Sequence, residues 1–266
     1  MTMSFLPFDS SETISAPETF PIGTRPEPTA KSVLLHIPRE KLRIPSFRGL
    51  VKRPRITELL KNSVTQFPAT FVCGRSGTGK TASVASFAAK NGHAAWNSLE
   101  PPDVHWASFA NSTLAAVRGL SRSGRKKFGA EELISRPDIK DISRFVDALF
   151  SPDRKQRELL IFDNVHYVFD TAWFREFFEL LMPAIPQSTH VIFISRSKPP
   201  FPVWRIRSKQ FLKIIDEKIF AFDESETAKL FEMNGFPARL APIAYQNCFG
   251  KVAQMLRFAE ASAEGK

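Results

Sequence analysis

The stretch FVCGRSGTGKTAS, from Phe71 to Ser83, contains a glycine, four further residues and then Gly-Lys-Thr. This is the spacing of a phosphate-binding loop, in which backbone N–H groups and the N-terminus of the following helix surround the phosphates. The glycines allow positive φ angles and leave no Cβ in the way of a phosphate. Lys80 would supply a mobile positive charge, and the Thr81 hydroxyl a ligand for Mg²⁺. The residues predicted to bind the nucleotide here are Gly74, Arg75, Ser76, Gly77, Thr78, Gly79, Lys80, Thr81 and Ala82.

The residues on either side of this loop agree with that interpretation. The segment from Ala69 to Cys73 (ATFVC) is short and apolar, which predicts a buried strand. The segment from Thr81 to Lys90 (TASVASFAAK) predicts a helix. The motif therefore lies between a strand and a helix, as phosphate binding requires, and a chance match is the weaker explanation.

Two arginines precede the loop. Arg53 and Arg55 stand just before a helix predicted from Ile56 to Thr65, near the place where many P-loop ATPases hold adenine. We include both among the predicted nucleotide-binding residues. Ordinary solvated charges explain them nearly as well, so that alternative stays open.

A second motif is ELLIFDNVHYV, from Glu158 to Val168, in which four apolar residues lead directly into Asp163. This pattern predicts a buried parallel strand that delivers a carboxylate at its C-terminal end. Because it follows a phosphate loop, we interpret Asp163 as the Walker B residue that holds Mg²⁺ together with Thr81. Asn164 comes next, where many P-loop ATPases have an acid that polarises the attacking water, and an amide cannot accept that proton. We therefore predict slow hydrolysis.

A further apolar strand is predicted from His190 to Ile194, and it ends at Ser195-Arg196. In the strand order expected for this class it lies between the other two motif strands, so Arg196 would point at the γ-phosphate. There it could distinguish ATP from ADP by a charge-assisted hydrogen bond, although a surface salt bridge is the alternative. The residues predicted to act in hydrolysis are Lys80, Asp163, Asn164 and Arg196.

Composition predicts one large domain with a dense core. Of the 266 residues 43% are hydrophobic, and Phe occurs 25 times. We predict an α/β P-loop NTPase sandwich of three layers around a five-stranded parallel sheet at residues 33–235. A disordered tail at 1–32 and a short helical extension at 236–266 complete the predicted organisation.

The remaining patterns bear on compartment and partners. Two cysteines, Cys73 and Cys248, give no disulfide framework, and neither a secretory signal nor a membrane-spanning run is recognisable. We therefore expect a cytoplasmic protein. The net charge of +10 leaves DNA binding open, but without a recognisable motif, and a polyanionic small ligand explains it equally well. The one dense cluster is basic and lies in a loop predicted at 121–130: Arg122, Arg125, Lys126 and Lys127.

Several ordered blocks of the chain together resemble one known family. They are KLRIPSFRGLVKRPRITELL, CGRSGTGKT, AAWNSLE, LLIFDNVHYV, VIFISRSKPPFPVWRIRSKQFLKI and FAFDESETAKLF. From about residue 41 to 235 they resemble the ATP-binding domain of MalT-type transcriptional activators, large LuxR-family regulators in the STAND group of signal-transduction ATPases. The resemblance implies an ATP/ADP switch, in which ADP holds a closed state and ATP with an inducer permits self-association. Lys80, Thr81, Asp163 and Arg196 occupy the matching positions.

Two departures limit what the resemblance implies. Asn164 stands where the family usually has a second Asp, which again argues against fast hydrolysis. The turn at Gly250 lacks the family's Pro, and the sensor and DNA-binding modules are expected to be absent, so transcription activation is not implied for this chain alone. The expected partners are an adenine nucleotide and either another protein or a second copy. An active AAA+-like ATPase, a DNA-associated module and an inactive remnant stay open as alternatives.

Overall fold

Five short strands form one parallel sheet in the computed structural model, which describes residues 37–119, 137–150 and 157–264. The strands are β1 (Ala69–Cys73), β2 (Ala94–Ser98), β3 (Glu158–Asp163), β4 (Thr189–Ser195) and β5 (Leu212–Ile215), in the order β2-β3-β4-β1-β5. All residues of β1, β3 and β4 are buried, as expected for parallel strands covered on both faces. The predicted five-stranded parallel sheet is confirmed, and so is the position of β4 between β1 and β3.

Helices account for most of the rest of the described chain. They are α1 (Pro54–Gln66), α2 (Lys80–Asn91), α3 (Trp106–Arg118), α4 (Ile139–Leu149), α5 (Phe174–Ala184), α6 (Trp204–Ser208), α7 (Glu217–Phe220), α8 (Glu224–Met233), α9 (Leu240–Cys248) and α10 (Val252–Glu264). Short 3₁₀ turns lie at Arg39–Leu42, Pro101–Val104 and Val165–Val168. The 3₁₀ turns, α6 and α7 have no counterpart in the sequence analysis, because segments this short carry no periodic signal.

The two faces of the sheet are covered by cores of different character. One face packs against α3, α4 and α5 and is rich in phenylalanine, with the Phe162 and Phe193 rings stacked 5.4 Å apart. The other face packs against α1 and α2 through mostly aliphatic side chains, such as Val72 and Ile192. Alternate residues of each strand supply the two cores, so the predicted three-layer sandwich is confirmed. Within the two cores that cover the sheet, phenylalanine is therefore concentrated on one face.

A third apolar cluster joins α8, α9 and α10 to the segment before α1. Phe222 and Phe231 pack there with Val51, Ala244 and Met255. Helix α8 begins with the capping box that the sequence predicts, because the Asp223 side chain accepts from the Glu226 N–H. The domain boundary predicted at residue 235 falls between α8 and α9, which pack together in this cluster. That boundary therefore stays a prediction.

Some sequence-based expectations fall outside the described residues. The tail predicted at 1–32 and the basic loop predicted at 121–130 are among them. Within the ranges that are described, no helix is both long and apolar enough to cross a bilayer.

Candidate functional site

The phosphate-loop motif leaves the carboxyl end of β1 and enters α2 with its glycines in conformations that other residues rarely adopt. Gly74, Gly77 and Gly79 have φ angles of 154°, 82° and 80°. Added Cβ atoms would also collide with neighbours: one on Gly74 would lie 2.8 Å from the Glu217 Cβ, and one on Gly77 would lie 2.7 Å from the Ala253 Cβ. The predicted positive φ angles are confirmed, and packing against α7 and α10 is a second reason for glycine here.

Helix α2 begins without any side chain to cap it. Gly79 is its N-cap residue in the left-handed region, and its first turn holds no acidic residue. In contrast, Asp138 caps α4 and Asp223 caps α8 through side-chain hydrogen bonds. The first backbone N–H groups of a helix need partners from outside it. Helices α1, α3, α5 and α9 also lack a side-chain cap, but the first turn of α2 lines a cavity at the loop, so its N–H groups can donate to an anion there.

Lys80 is buried and folded back against its own loop. Its Nζ donates to the Arg75 carbonyl oxygen at 2.7 Å and to the Thr78 Oγ1 at 3.1 Å. Desolvation lowers the pKa of Lys80, while the nearby carboxylates of Glu217 and Asp163 act in the opposite direction. An anionic ligand would place a negative charge beside this ammonium group and so stabilise its charged form.

Asp163 at the end of β3 meets Thr81 at the start of α2. The Thr81 Oγ1 donates to the Asp163 Oδ1 at 3.3 Å, and the Asn164 N–H donates to the same oxygen at 2.9 Å. Burial raises the pKa of Asp163 to about 6, although these two donors and the Lys80 charge act against the shift. The predicted pairing of Asp163 with Thr81 is therefore present in the structure.

These oxygens fit the coordination chemistry of Mg²⁺. The ion binds hard oxygen ligands, usually one or two protein groups completed by water and substrate phosphates. Within the described residues no group of three or more His, Cys, Asp or Glu could hold a metal. Thr81 and Asp163 would therefore hold Mg²⁺ only together with phosphate oxygens, and the cation would neutralise the buried carboxylate.

A cavity of about 250 Å³ surrounds these groups. Its lining consists of Phe47, Ser76, Gly77, Gly79, Lys80, Thr81, Ala82, Asp163, Asn164, Ile194, Ser195 and Arg196. Arg196 is exposed, and none of the ion pairs found in the described chain includes it, so the surface salt-bridge alternative is not supported. Asn164 adopts φ 59°, a left-handed conformation that Asn tolerates well. The structure thus brings together all four residues predicted to act in hydrolysis.

His166, three positions after Asp163, is not part of the lining of this cavity. Neither ring nitrogen has a hydrogen-bond partner, and the ring stacks on Tyr167 at 4.6 Å. Desolvation, together with the positive charges of Arg196 and Lys80, lowers the pKa of His166. The ring is therefore neutral at pH 7, with one nitrogen able to donate a hydrogen bond and the other able to accept one.

A second cavity of about 650 Å³ adjoins the first and shares Gly79 and Ala82 with it. Its walls come from residues 48–54, α1 and α2, and from the C-terminal helices. Lining residues that the sequence analysis missed include Ser83, Ser86, Phe222, Leu230, Val252 and Leu256. They come from three separate parts of the sequence and form no single motif, so no signal in the sequence could have grouped them.

Arg53 belongs to the wall of this larger cavity. Its NH2 donates to the Phe220 carbonyl oxygen and to the Glu226 Oε2, both at 2.9 Å, and its guanidinium lies 4.2 Å above the Phe222 ring. Its Nε and NH1 are shielded from solvent and have no hydrogen-bond partner. Desolvation lowers the pKa of Arg53 despite the opposing effect of Glu226. Arg53 is therefore a buried cation with two unpartnered donors, and it belongs to the lining of the cavity.

Arg55, the other predicted arginine, does not line this cavity. Its guanidinium donates to the carbonyl oxygens of Ile219 and Ala221, and it pairs with Glu226 and Asp223. The structure thus places Arg53 at the candidate site and Arg55 in contacts that hold α7 and α8.

Comparison with known proteins agrees with this architecture. No protein-family model matches the chain. The HTH-type transcriptional regulator MalT of Vibrio cholerae is 22% identical over 197 residues, which are 73% of this chain and 21% of the regulator. MalT of Serratia proteamaculans is 26% identical over 198 residues, or 74% of this chain and 22% of the regulator. The chain therefore spans about a fifth of the length of these regulators.

Two solved structures share the fold. A Walker-type ATPase of Pyrococcus abyssi superimposes with a TM-score of 0.52 at 12% identity, covering 82% of this chain and 69% of that one. A signal transduction ATPase with numerous domains (STAND) and a tetratricopeptide repeat sensor, from Pyrococcus horikoshii, gives 0.50 at 16% identity, covering 81% and 30%. The resemblance predicted from the ordered sequence blocks is confirmed: the chain is similar to MalT-type regulators over about three quarters of its length and has the fold of P-loop ATPases.

Proposed function

We propose that this chain is an ATP- and ADP-binding switch module of the STAND type, which controls self-association or a protein partner in a signalling or transcription-regulatory system. The observation that carries the proposal is the convergence of three groups at the carboxyl ends of β1 and β3. They are the uncapped start of α2, the Lys80 ammonium group and the Asp163 carboxylate. A triphosphate with its metal ion satisfies all three at once.

Each residue would contribute to binding according to its chemistry. The backbone N–H groups of the loop and Lys80 would bind the β- and γ-phosphates, and Thr81 with Asp163 would hold Mg²⁺. When bound, Mg²⁺ neutralises phosphate charge. Arg196 would donate to the γ-phosphate, which ADP lacks, and would thereby distinguish the two nucleotides.

The larger cavity supports a nucleoside rather than a bare polyphosphate as ligand. It continues from the phosphate site past Gly79 and Ala82, and its far wall holds apolar side chains such as Leu230 and Leu256. Arg53 adds a cation to the lining of the same cavity. An apolar surface with a few directed polar groups is the usual environment of a bound base.

Calorimetric titration of the full chain with Mg²⁺ present tests this assignment. ATP, ADP and tripolyphosphate would be compared on the wild type and on Ser86→Phe, which fills the larger cavity, with Ser86→Ala as the matched control. We expect Ser86→Phe to weaken ATP binding by about tenfold or more and to leave tripolyphosphate binding unchanged. If the wild type binds neither adenine nucleotide, the proposal is wrong.

We further propose that hydrolysis is slow, because Asn164 offers no proton acceptor beside the attacking water. Asn164→Asp would restore a carboxylate, and we expect it to raise single-turnover hydrolysis by about 10²-fold or more. The control is Asn164→Ala, which should stay as slow as the wild type. Wild-type turnover on the order of 10 s⁻¹ would instead support an active AAA+-like ATPase.

The switch itself can be followed by light scattering during size-exclusion chromatography. The full chain would be equilibrated with Mg²⁺ and either ATP or ADP at equal concentration. A switch predicts different association states or different partner binding in the two nucleotides. If the ATP and ADP complexes show the same association state and the same binding to candidate partners, the chain binds nucleotide but is not a switch.

A further inference from the structure

The stretch from β4 to the first residues of β5, residues 196–213, is strongly basic, and we call it the basic segment. It contains six cations and no carboxylate: Arg196, Lys198, Arg205, Arg207, Lys209 and Lys213. Like charges brought together in a folded chain repel one another. Such a surface is therefore stabilised by an anionic partner.

Five of these cations are exposed, and none pairs with a carboxylate in the part of the chain that the structure describes. The sixth, Lys213, lies over the Phe67 ring instead. Unpaired charges on neighbouring residues act together within a Debye length of about 10 Å. Arg205, Arg207 and Lys209 lie within five consecutive positions and thus form one local positive field.

Trp204 stands exposed within this field. Its side chain is 63% exposed, whereas the three other tryptophans, Trp96, Trp106 and Trp173, are all buried. The Arg205 guanidinium lies 5.1 Å from the ring centre. An exposed indole flanked by cations offers a flat apolar face beside positive charge.

The segment is held firmly enough to present that face. Phe201 packs on Phe174 and Phe178, with ring centres 6.0 Å and 5.4 Å apart. Val203 and Ile206 pack against the same core. Prolines at 199, 200 and 202 restrict the backbone that leads into α6. The exposure of Trp204 is therefore set by anchored neighbours on both sides.

We propose that the basic segment binds single-stranded nucleic acid, with Lys198, Arg205, Arg207 and Lys209 on its phosphates and Trp204 stacked on an unpaired base. Arrays of Lys and Arg interleaved with an aromatic platform are the means by which proteins bind single strands. A duplex keeps its bases stacked within the helix and would leave the indole without a partner. An acidic protein fits less well, because the buried centre of a protein interface is apolar, and Trp204 is the one large apolar side chain exposed in this segment.

Fluorescence measurements on the full chain test the proposal. A labelled deoxythymidine oligomer of about 20 nucleotides and a duplex of equal length would be titrated separately. We expect the single strand to bind more tightly and to quench the emission of the exposed tryptophan. Trp204→Ala should weaken binding by about 5- to 150-fold, and Trp204→Phe should restore most of it.

Charge variants separate the segment from the overall basic character of the protein. Arg205→Gln, Arg207→Gln and Lys209→Gln together should lower the slope of log affinity against log salt by about 2. The matched control removes the same charge elsewhere, through Lys61→Gln, Arg175→Gln and Lys229→Gln, which are exposed positions on α1, α5 and α8. This control should bind nearly as the wild type does.

Three outcomes would overturn the proposal. One is an equal loss of affinity in the two triple variants, which would mean unspecific attraction. Another is equal binding of the duplex without quenching of Trp204. The third is binding to phosphatidylserine vesicles but not to the oligomer, which would assign the segment to an anionic membrane surface. Because none of the altered residues lines the nucleotide cavities, ATP binding should be unchanged in every variant.

Discussion

Both ends of the central strands carry buried polar side chains, but the two ends use them differently. At the amino ends, the His190 Nδ1 lies 2.7 Å from the Phe67 carbonyl oxygen and the Nε2 lies 2.8 Å from the Thr70 Oγ1. Because a carbonyl oxygen only accepts, Nδ1 carries the proton and Nε2 accepts from Thr70. Thr70 then accepts from the Ser63 hydroxyl. Every ring nitrogen and hydroxyl in this amino-end network has a partner.

At the carboxyl ends the polar groups are charged and only loosely matched. Thr81 and Asp163 meet at 3.3 Å, Lys80 donates only to neutral oxygens of its own loop, and the first turn of α2 has no capping side chain. A cavity opens beside all of them. The contrast shows that burial of polar groups does not by itself mark a site. A site is marked instead by buried polar groups whose hydrogen-bonding capacity or charge is not fully matched within the protein and can be matched by a ligand.

The largest expected effect is a loss of stability at the amino end. His190→Ala removes a fully buried ring, and with it the acceptor of the Thr70 hydroxyl and the donor to the Phe67 carbonyl oxygen. We expect the free energy of unfolding to fall by about 3 kcal/mol in urea denaturation at pH 7.5. Affinity for Mg·ATP at a temperature where the variant is folded should match the wild type. If the variant had normal stability but bound ATP more weakly, the amino-end network would not be purely structural, and the two ends would not differ as described.

Lys80→Ala should give the converse result. Because a charged hydrogen bond to phosphate contributes about 1.5–3 kcal/mol, ATP and tripolyphosphate should both bind about 10- to 150-fold more weakly by calorimetry. The unfolding free energy without ligand should change by less than about 1 kcal/mol, since desolvation of the ammonium group opposes its hydrogen bonds within the loop. Unchanged phosphate affinity in this variant would mean that the ligand lies elsewhere.

The two ends should also respond to pH with opposite sign. Burial lowers the pKa of His190 from its ordinary 6.5 to about 3, so the unfolded chain binds the proton first and stability falls as pH drops below about 6.5. Burial raises the pKa of Asp163 from its ordinary 3.8 to about 6, so the folded chain binds the proton first and stability rises as pH drops from about 6 to 4.

Urea denaturation between pH 4.5 and 7.5, without nucleotide or Mg²⁺, measures both contributions. Each is at most about 1.4 kcal/mol per pH unit. Relative to the wild type, Asp163→Asn should lose stability more steeply on acidification, and His190→Gln should lose it less steeply. Parallel curves for all three proteins would show that neither group titrates differently on folding.

The sequence predicted the phosphate half of the candidate site better than the other half, for a physical reason. The loop's glycines, Lys80 and Thr81 are contiguous, so local spacing fixes their geometry, and the apolar run before Asp163 fixes its depth in the sheet. The larger cavity is assembled from α1, α2 and the C-terminal helices, which meet only in the folded chain. Arg53 and Arg55 are equivalent in the sequence, and only packing places one on the cavity and the other outside it.

The amino-end network could not have been predicted from the sequence either, because His190 lies more than a hundred residues from its partners and is separated from Thr70 by 120 positions. A variant in this network gives the prediction with the smallest expected effect. Ser63→Ala removes the outermost hydroxyl, so we expect a loss of about 1 kcal/mol in urea denaturation, against no change for Thr65→Ala at an exposed position nearby. If the network acts as one unit, Ser63→Ala should cost less in the His190→Ala background than in the wild type. Additive losses would mean that these hydrogen bonds contribute independently rather than as one network.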